Sequence, residues 1–300
     1  MTPLSPATTR RAARAPEQAG PPPARRGPGF GLRRVGVQLL LWGYTALAFG
    51  PLVLVLVGSF RTNADILQQP VGLPTSLDLG NYQRAWETAS LSIYFLNSVA
   101  VTVAAVSLCV AVSAMAAYAL SRWRFRGRAF LAALFISGLM IPAKLGLLPV
   151  FYMYQSVGLI DSRIGLVLLY AANGVPFSIF VIMGFMRGLP LELEEAARLD
   201  GANPGRMFVS VALPLMRPAL AVVTVFQFAL TWNDFFYPLV LMRSDEKYTV
   251  PVGLTRFFGE FAADRATLFA GLVIALVPLA IVFALATRHI ISGLTAGMSK

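Results

Sequence analysis

Lys144, Asn173, Gln227, Asn233 and Asp234 place charged or amide groups inside or beside long apolar runs, and Glu192, Glu194 and Glu195 crowd together between two such runs. Covalent chemistry has little to work with here. The one cysteine, Cys109, and the one histidine, His289, exclude an internal disulfide framework, a Cys- or His-rich metal centre and an ordinary Ser-His-Asp triad away from His289. No nucleophile–base pair stands at depth, so an intramembrane enzyme is a poor reading. Residues 293–300 approach a phosphate-binding loop but lack its Gly-Lys-Ser/Thr ending and follow no strand. What remains is non-covalent: holding a polar solute, bridging helices, or docking another protein.

Each polar group has a bland reading beside the functional one. A charge such as Lys144 inside an apolar run costs at least about 2.5–3.5 kcal/mol unless hydrated or paired. It could line a wet cavity. The simpler reading is that the segment from Pro142 to Pro149 breaks the helix near the outer surface and lets the side chain snorkel. Asn173, Gln227, Asn233 and Asp234 could each contact a solute; helix bridging is the simpler role for any one of them.

These residues must be positioned by a membrane fold. The 300 residues are 57% hydrophobic and only 13% charged, with a mean hydropathy of +0.68, against about 45–50% apolar and 25% charged for soluble domains. The net charge of +11 does not form one patch, which argues against nucleic-acid binding. Its bases sit in separated clusters at the ends of apolar runs, where they act as topology signals.

Residues 1–34 are rich in Pro, Ala and Arg without apolar periodicity, which predicts a disordered basic tail. The run at 35–60 is too long for a signal-peptide core and reads as an uncleaved first span. Further runs at 93–120, 129–154, 164–186, 215–237 and 267–286 can each cross a hydrocarbon core of about 30 Å. The expected fold is therefore an all-α membrane protein of about six transmembrane helices, its membrane domain covering 35–291.

Arg33 and Arg34, then Arg122, Arg124, Arg126 and Arg128, then Arg187, Arg198, Arg206 and Arg217, and finally Arg288 and Lys300 all fall on one side of a six-span arrangement. The opposite connections carry the acids Asp65, Asp78, Glu87, Asp161, Asp245, Glu246, Glu260 and Asp264. Both termini are thus expected in the cytoplasm. The polar segment at 61–90 could carry a short helix along the membrane surface.

The stretch at 189–218 differs from its surroundings. Pro190 suits a first helical turn, and Glu192, Glu194 and Glu195 complement the positive end of the helix dipole. Gly201 stands where a left-handed stop belongs, and Asn203-Pro204 supply an N-cap and N1 for a second helix. The expected form is helix, sharp bend, helix, with Ala196 and Ala197 leaving a smooth patch for another backbone. An amphipathic helix resting on the inner leaflet is the alternative, opposed by repulsion between three glutamates and anionic headgroups.

Glu195-Ala196-Ala197, Gly201, Val211 and Leu213-Pro214 resemble the EAA loop of bacterial ABC importer permeases, with Val211 where that pattern has Ile. Asn97-Ser98, Ile141-Pro142 with Pro149, Trp232-Asn233-Asp234 and Gly293 to Gly297 resemble the carbohydrate-uptake branch, most closely its smaller, maltose-type second permease. The resemblance runs from about residue 39 onward. Met298-Ser299-Lys300 departs from the family's usual ending, and the basic N-terminal tail is not part of the likeness.

The resemblance implies a type I ABC importer permease fold in the bacterial cytoplasmic membrane. It implies that Glu195, Ala196, Ala197, Gly201, Leu213 and Pro214, within a cytoplasmic loop at about 189–214, couple to an ATPase. It implies a second homologous permease, two ATP-binding-cassette subunits that hold ATP and Mg while this chain holds no cofactor, and an extracytoplasmic solute-binding protein. The 292–300 tail would reach the seam between the ATPase subunits. The expected cargo is a sugar or oligosaccharide; alternatives are glycerol phosphate or another polar solute, or a membrane scaffold or receptor subunit without flux.

Overall fold

The structure, a computed structural model, describes residues 29–74, 77–258 and 264–297. Of the basic tail expected over 1–34, residues 1–28 lie outside the described residues, as do Glu260, the side chains of Arg288 and His289, and residues 298–300, whereas 29–34 belong to the first helix. Among the described residues every regular element is helical. Among the described residues four helices are long and apolar enough to cross a membrane, or up to six if each of two bent pairs is one span.

The first long helix, α1 (Gly29–Gly58), contains Pro51, and the chain divides into two compact units at that residue. After the short α2 (Asn63–Gln68) the second unit is built on α3 (Leu91–Arg122) and α6 (Arg163–Arg187). Between them lie α4 (Arg128–Ser137) and α5 (Leu147–Ser156). After α6 come α7 (Glu192–Leu199), α8 (Pro204–Met207), α9 (Arg217–Trp232), α10 (Phe236–Leu241) and α11 (Arg265–Gly297).

The run at 129–154 is not one straight helix. Arg128–Met140 and Ala143–Ser156 meet at 90°. Pro142 has no N–H to donate, and Ile141 before it is pushed out of helical geometry to φ −92, ψ 115. The run at 215–237 differs from expectation too: α9 stops at Trp232 and a separate α10 begins at Phe236. At its other end α9 meets Pro204–Leu215 at 73°, where a π turn at Phe208–Ala212 is followed by Pro214 and Pro218. The last helix continues through residues 292–297, where a tail was expected.

α3 packs along α6 more extensively than any other pair of elements. Small residues Ala114 and Ala117 of α3 let Ile179, Ile182 and Met186 of α6 approach, and Met207, Ala212, Met216 and Val223 complete this cluster. Asn97 and Ser98 have a structural job: the Asn97 amide donates to the carbonyls of Glu246 (2.8 Å) and Tyr248 (2.9 Å), and the Val250 N–H donates to Ser98 Oγ at 2.8 Å.

The 61–90 segment folds into short helical turns tied together by side chains. Buried Asn81 donates to the carbonyls of Ser59 and Arg61, both at 2.9 Å. In the connection before α6, burial pulls the Asp161 carboxyl upward, but Lys247 at 2.7 Å, the Ser244 hydroxyl and the N–H groups of Arg243 and Ser244 outweigh it and hold it well below the usual carboxylate range.

Gly253 is required by close approach. A Cβ there would lie 2.1 Å from Cδ2 of Tyr94, a ring that is itself fully buried and donates its hydroxyl to Asp245 at 3.1 Å. Gly253→Ala is expected to cost about 1–3 kcal/mol through overpacking. A lowered melting temperature of the purified protein in detergent is the expected reading, and an unchanged one would show that Tyr94 can yield.

Candidate functional site

Lys144, Asn173, Gln227, Asn233 and Asp234 line one cavity of about 690 Å³. The bend at Pro142 places Lys144 there from the third run. α6 contributes Tyr170, Asn173, Gly174 and Phe177, residues spaced by three and four and so on one helical face. α9 contributes Phe226, Gln227 and Leu230, and the break between α9 and α10 contributes Asn233 and Asp234.

Asp234 organises the charged end. Its Oδ2 accepts from the Tyr170 hydroxyl and from the Tyr237 N–H, both at 3.0 Å. Its Oδ1 faces the Lys144 ammonium at 3.8 Å. Lys144 also sits over the Phe236 ring, 4.4 Å from its centroid. The Lys144 side chain is 61% exposed whereas that of Asp234 is 10% exposed, so the carboxylate is fixed and the ammonium is reachable. Lys144 thus sits just after the helix break at Pro142 and lines this cavity.

Helix bridging is equally visible. Gln227 donates across to the Gly174 carbonyl at 3.1 Å, and Ser178 donates to the same carbonyl at 2.8 Å. Asn173 donates to the Tyr237 hydroxyl at 3.2 Å, which in turn donates to the Ala143 carbonyl at 3.0 Å. Asn233 binds back onto its own helix, at the Ala229 carbonyl, 2.8 Å away. The tyrosines at 170 and 237 and the stacked pair Phe177–Phe226, centroids 4.3 Å apart, were not singled out from the sequence. The spacing of Tyr170 and Phe177, three residues before and four after Asn173, was the available signal for those two; Phe226 and Tyr237 lie on other helices and carried none.

A second feature lies in the 189–214 connection. α7 ends at Leu199 and is stopped by Gly201, two residues on, whose φ is +81. The Ala202 N–H reaches the Ala197 carbonyl and the Gly201 N–H the Arg198 carbonyl, both at 3.0 Å, the paired bonds of a Schellman stop. Asn203 then caps α8, accepting from the Arg206 N–H at 2.8 Å, with Pro204 in the first turn. Glu195 and Ala196 are exposed, Pro214 is half-buried, and Ala197 and Leu213 are half-buried against the α3–α6 core. A cavity of about 240 Å³ opens between Ala197, Ala202 and Val211. Glu194, by contrast, points inward, its Oε1 2.6 Å from Arg122 Nε.

Long apolar helices around a polar, aromatic-walled cleft define a polytopic α-helical membrane protein. Residues 109–295 match the family described as binding-protein-dependent transport system inner membrane component, and the chain belongs to that family. It is similar to the diacetylchitobiose uptake system permease protein NgcG of Streptomyces coelicolor, 36% identical with 86% of each chain covered. It is also similar to the arabinooligosaccharides transport system permease protein AraQ of Halalkalibacterium halodurans, 34% identical with 87% of this chain and 96% of the relative covered. Among solved structures, a chain of a bacterial ABC transporter involved in the import of the acidic polysaccharide alginate superposes with a TM-score of 0.77 at 27% identity, covering 89% of this chain and 99% of that one.

Proposed function

We propose that this chain is the permease subunit of an ATP-driven importer that carries a sugar or oligosaccharide through the cleft between α6, α9 and the bend at Pro142. The observation that carries the reading is the convergence of Lys144, Asn173, Gln227, Asn233 and Asp234 on one cavity. Its volume of about 690 Å³ falls in the usual range of ligand sites, about 300–1,000 Å³. Amides, a carboxylate and an ammonium suit a polyol, and the Phe177–Phe226 stack suits the apolar face of a pyranose. The relatives named for diacetylchitobiose and arabinooligosaccharide transport favour the same cargo.

In this reading the chain crosses the cytoplasmic membrane six times with both termini inside. It pairs with a second permease, two ATPase subunits that bind ATP and Mg, and a solute-binding protein outside. Glu195, Ala196, Ala197 and Gly201 form the surface that meets an ATPase, backed by Leu213 and Pro214. Closure of the ATPases moves α7 and switches the cleft between inward and outward access, which requires contacts that differ in energy between the two states. Glycerol phosphate fits less well, because Asp234 already offsets the charge of Lys144.

The test is ATP hydrolysis by the assembled complex in proteoliposomes, with neutral oligosaccharides, uronate-bearing oligosaccharides and glycerol phosphate delivered by the binding protein. Stimulation by an oligosaccharide is expected. Hydrolysis that no solute alters would favour a scaffold or receptor subunit instead.

A further inference from the structure

We infer that Arg122 and Glu194 form a positioning pair that keys the α7–α8 hairpin to the end of α3, so that displacement of the hairpin is passed to the α3–α6–α9 core. The inference rests on the coupling role proposed above for that hairpin.

The pair stands apart from the other ion pairs. Arg122 Nε lies 2.6 Å from Glu194 Oε1, and the two side chains are only 7% and 5% exposed. In Arg84–Asp78, Lys144–Asp234 and Arg256–Asp245 at least one partner is 40% or more exposed. Arg122 also donates through Nη2 to the Leu189 carbonyl at 3.3 Å, gripping the chain where it enters the hairpin. Tyr118, one turn earlier on the same face of α3, lies beside Glu194 and packs on Phe208 with ring centroids 5.3 Å apart. Thus Arg122 holds the first arm of the hairpin and Tyr118 the second.

Stability alone is a poor reason for such a pair, since burying two charges costs desolvation that well-packed apolar side chains of similar volume avoid. What a guanidinium fork adds is direction: bonds to a carboxylate and to a carbonyl fix the angle at which α7 crosses the end of α3. The neighbouring glutamates divide the work. Glu194 is turned into the core, while Glu195 and Ala196 stay exposed to meet another subunit.

The experiment uses the assembled complex with spin labels at Leu199→Cys and Arg124→Cys, two exposed positions, the native Cys109 being buried. The doubly apolar variant Arg122→Met with Glu194→Leu should assemble, broaden the label-to-label distance distribution, and lower solute moved per ATP at least about tenfold, the effect of about 1.4 kcal/mol of lost differential interaction. Arg122→Lys, which keeps the charge and loses the fork, should fall between. A wild-type distribution together with wild-type transport per ATP in the double variant overturns the inference, because packing would then suffice. If the double variant does not assemble, isosteric Glu194→Gln decides by the same two readings. Glu195→Ala measured alongside separates the failures: if it too transports normally, the coupling reading itself has failed, and if it alone loses coupling, only the keying pair has.

Discussion

Gly201→Val is expected to leave the protein inserted in the membrane but to uncouple it, with transport per ATP reduced roughly 5- to 30-fold, the effect of about 1–2 kcal/mol. The cost arises in the backbone. Gly201 sits at φ +81 with nothing within 4 Å of where a Cβ would stand, so no clash is created. A β-branched residue is instead forced into left-handed geometry, at about 1–2 kcal/mol. It can escape only by opening the bonds from Ala202 to Ala197 and from Gly201 to Arg198, and α7 then leaves its angle to α8. Asn tolerates the left-handed region, so Gly201→Asn should keep most of the coupling. Solute-stimulated ATP hydrolysis and uptake in proteoliposomes measure both variants. Equal transport by Val and Asn would show that the stop at Gly201 is not what transmits the motion.

The hairpin is well placed for such transmission because the two helices it joins are the two that wall the cleft. α6 carries Tyr170, Asn173 and Phe177 and then ends at Arg187, just before the hairpin. α9 begins at Arg217, just after it, and carries Phe226 and Gln227. At 1.5 Å per residue, Asn173 lies roughly 21 Å along α6 from its hairpin end. That stretch of α6 includes Pro176, and just before it the Gln227 bond to Gly174 ties the two helices together beside the cavity.

Much of this was legible in the sequence, for identifiable reasons. Long apolar runs announce membrane helices, and Gly201 with Asn203-Pro204 announces a reversal, because few residues satisfy those backbone conformations. The five cleft residues drew attention because polar groups are costly in lipid. The breaks were harder to place. The break in the third run was marked by Pro142 and Pro149, though not its 90° angle, whereas the gap between Trp232 and Phe236 contains no proline at all. Tyr170, Phe177 and Phe226 escaped because aromatic residues are ordinary in membrane helices. Arg122 was one arginine in a cluster read as a topology signal, and only the fold could show that it turns inward to Glu194.

Asp234 is the residue whose loss should most disturb the cleft. Asp234→Ala leaves the Tyr170 hydroxyl and the Tyr237 N–H without their acceptor, and a buried donor left unmade costs about 1–3 kcal/mol. The break between α9 and α10 should loosen, lowering both the melting temperature and transport. Asp234→Asn is the sharper probe. Its amide oxygen can still accept from Tyr170 and Tyr237, so stability should hold, but nothing then balances Lys144. The freed ammonium would bind anionic groups and hydration water in the cleft proposed for the sugar, and uptake should fall about tenfold, equivalent to about 1.4 kcal/mol. Lys144→Met on the Asn background removes the unbalanced charge and should recover part of the uptake. If Asn alone transports like wild type while Ala does not, the carboxylate serves only to hold the helix break, and the charge pair plays no part in solute passage.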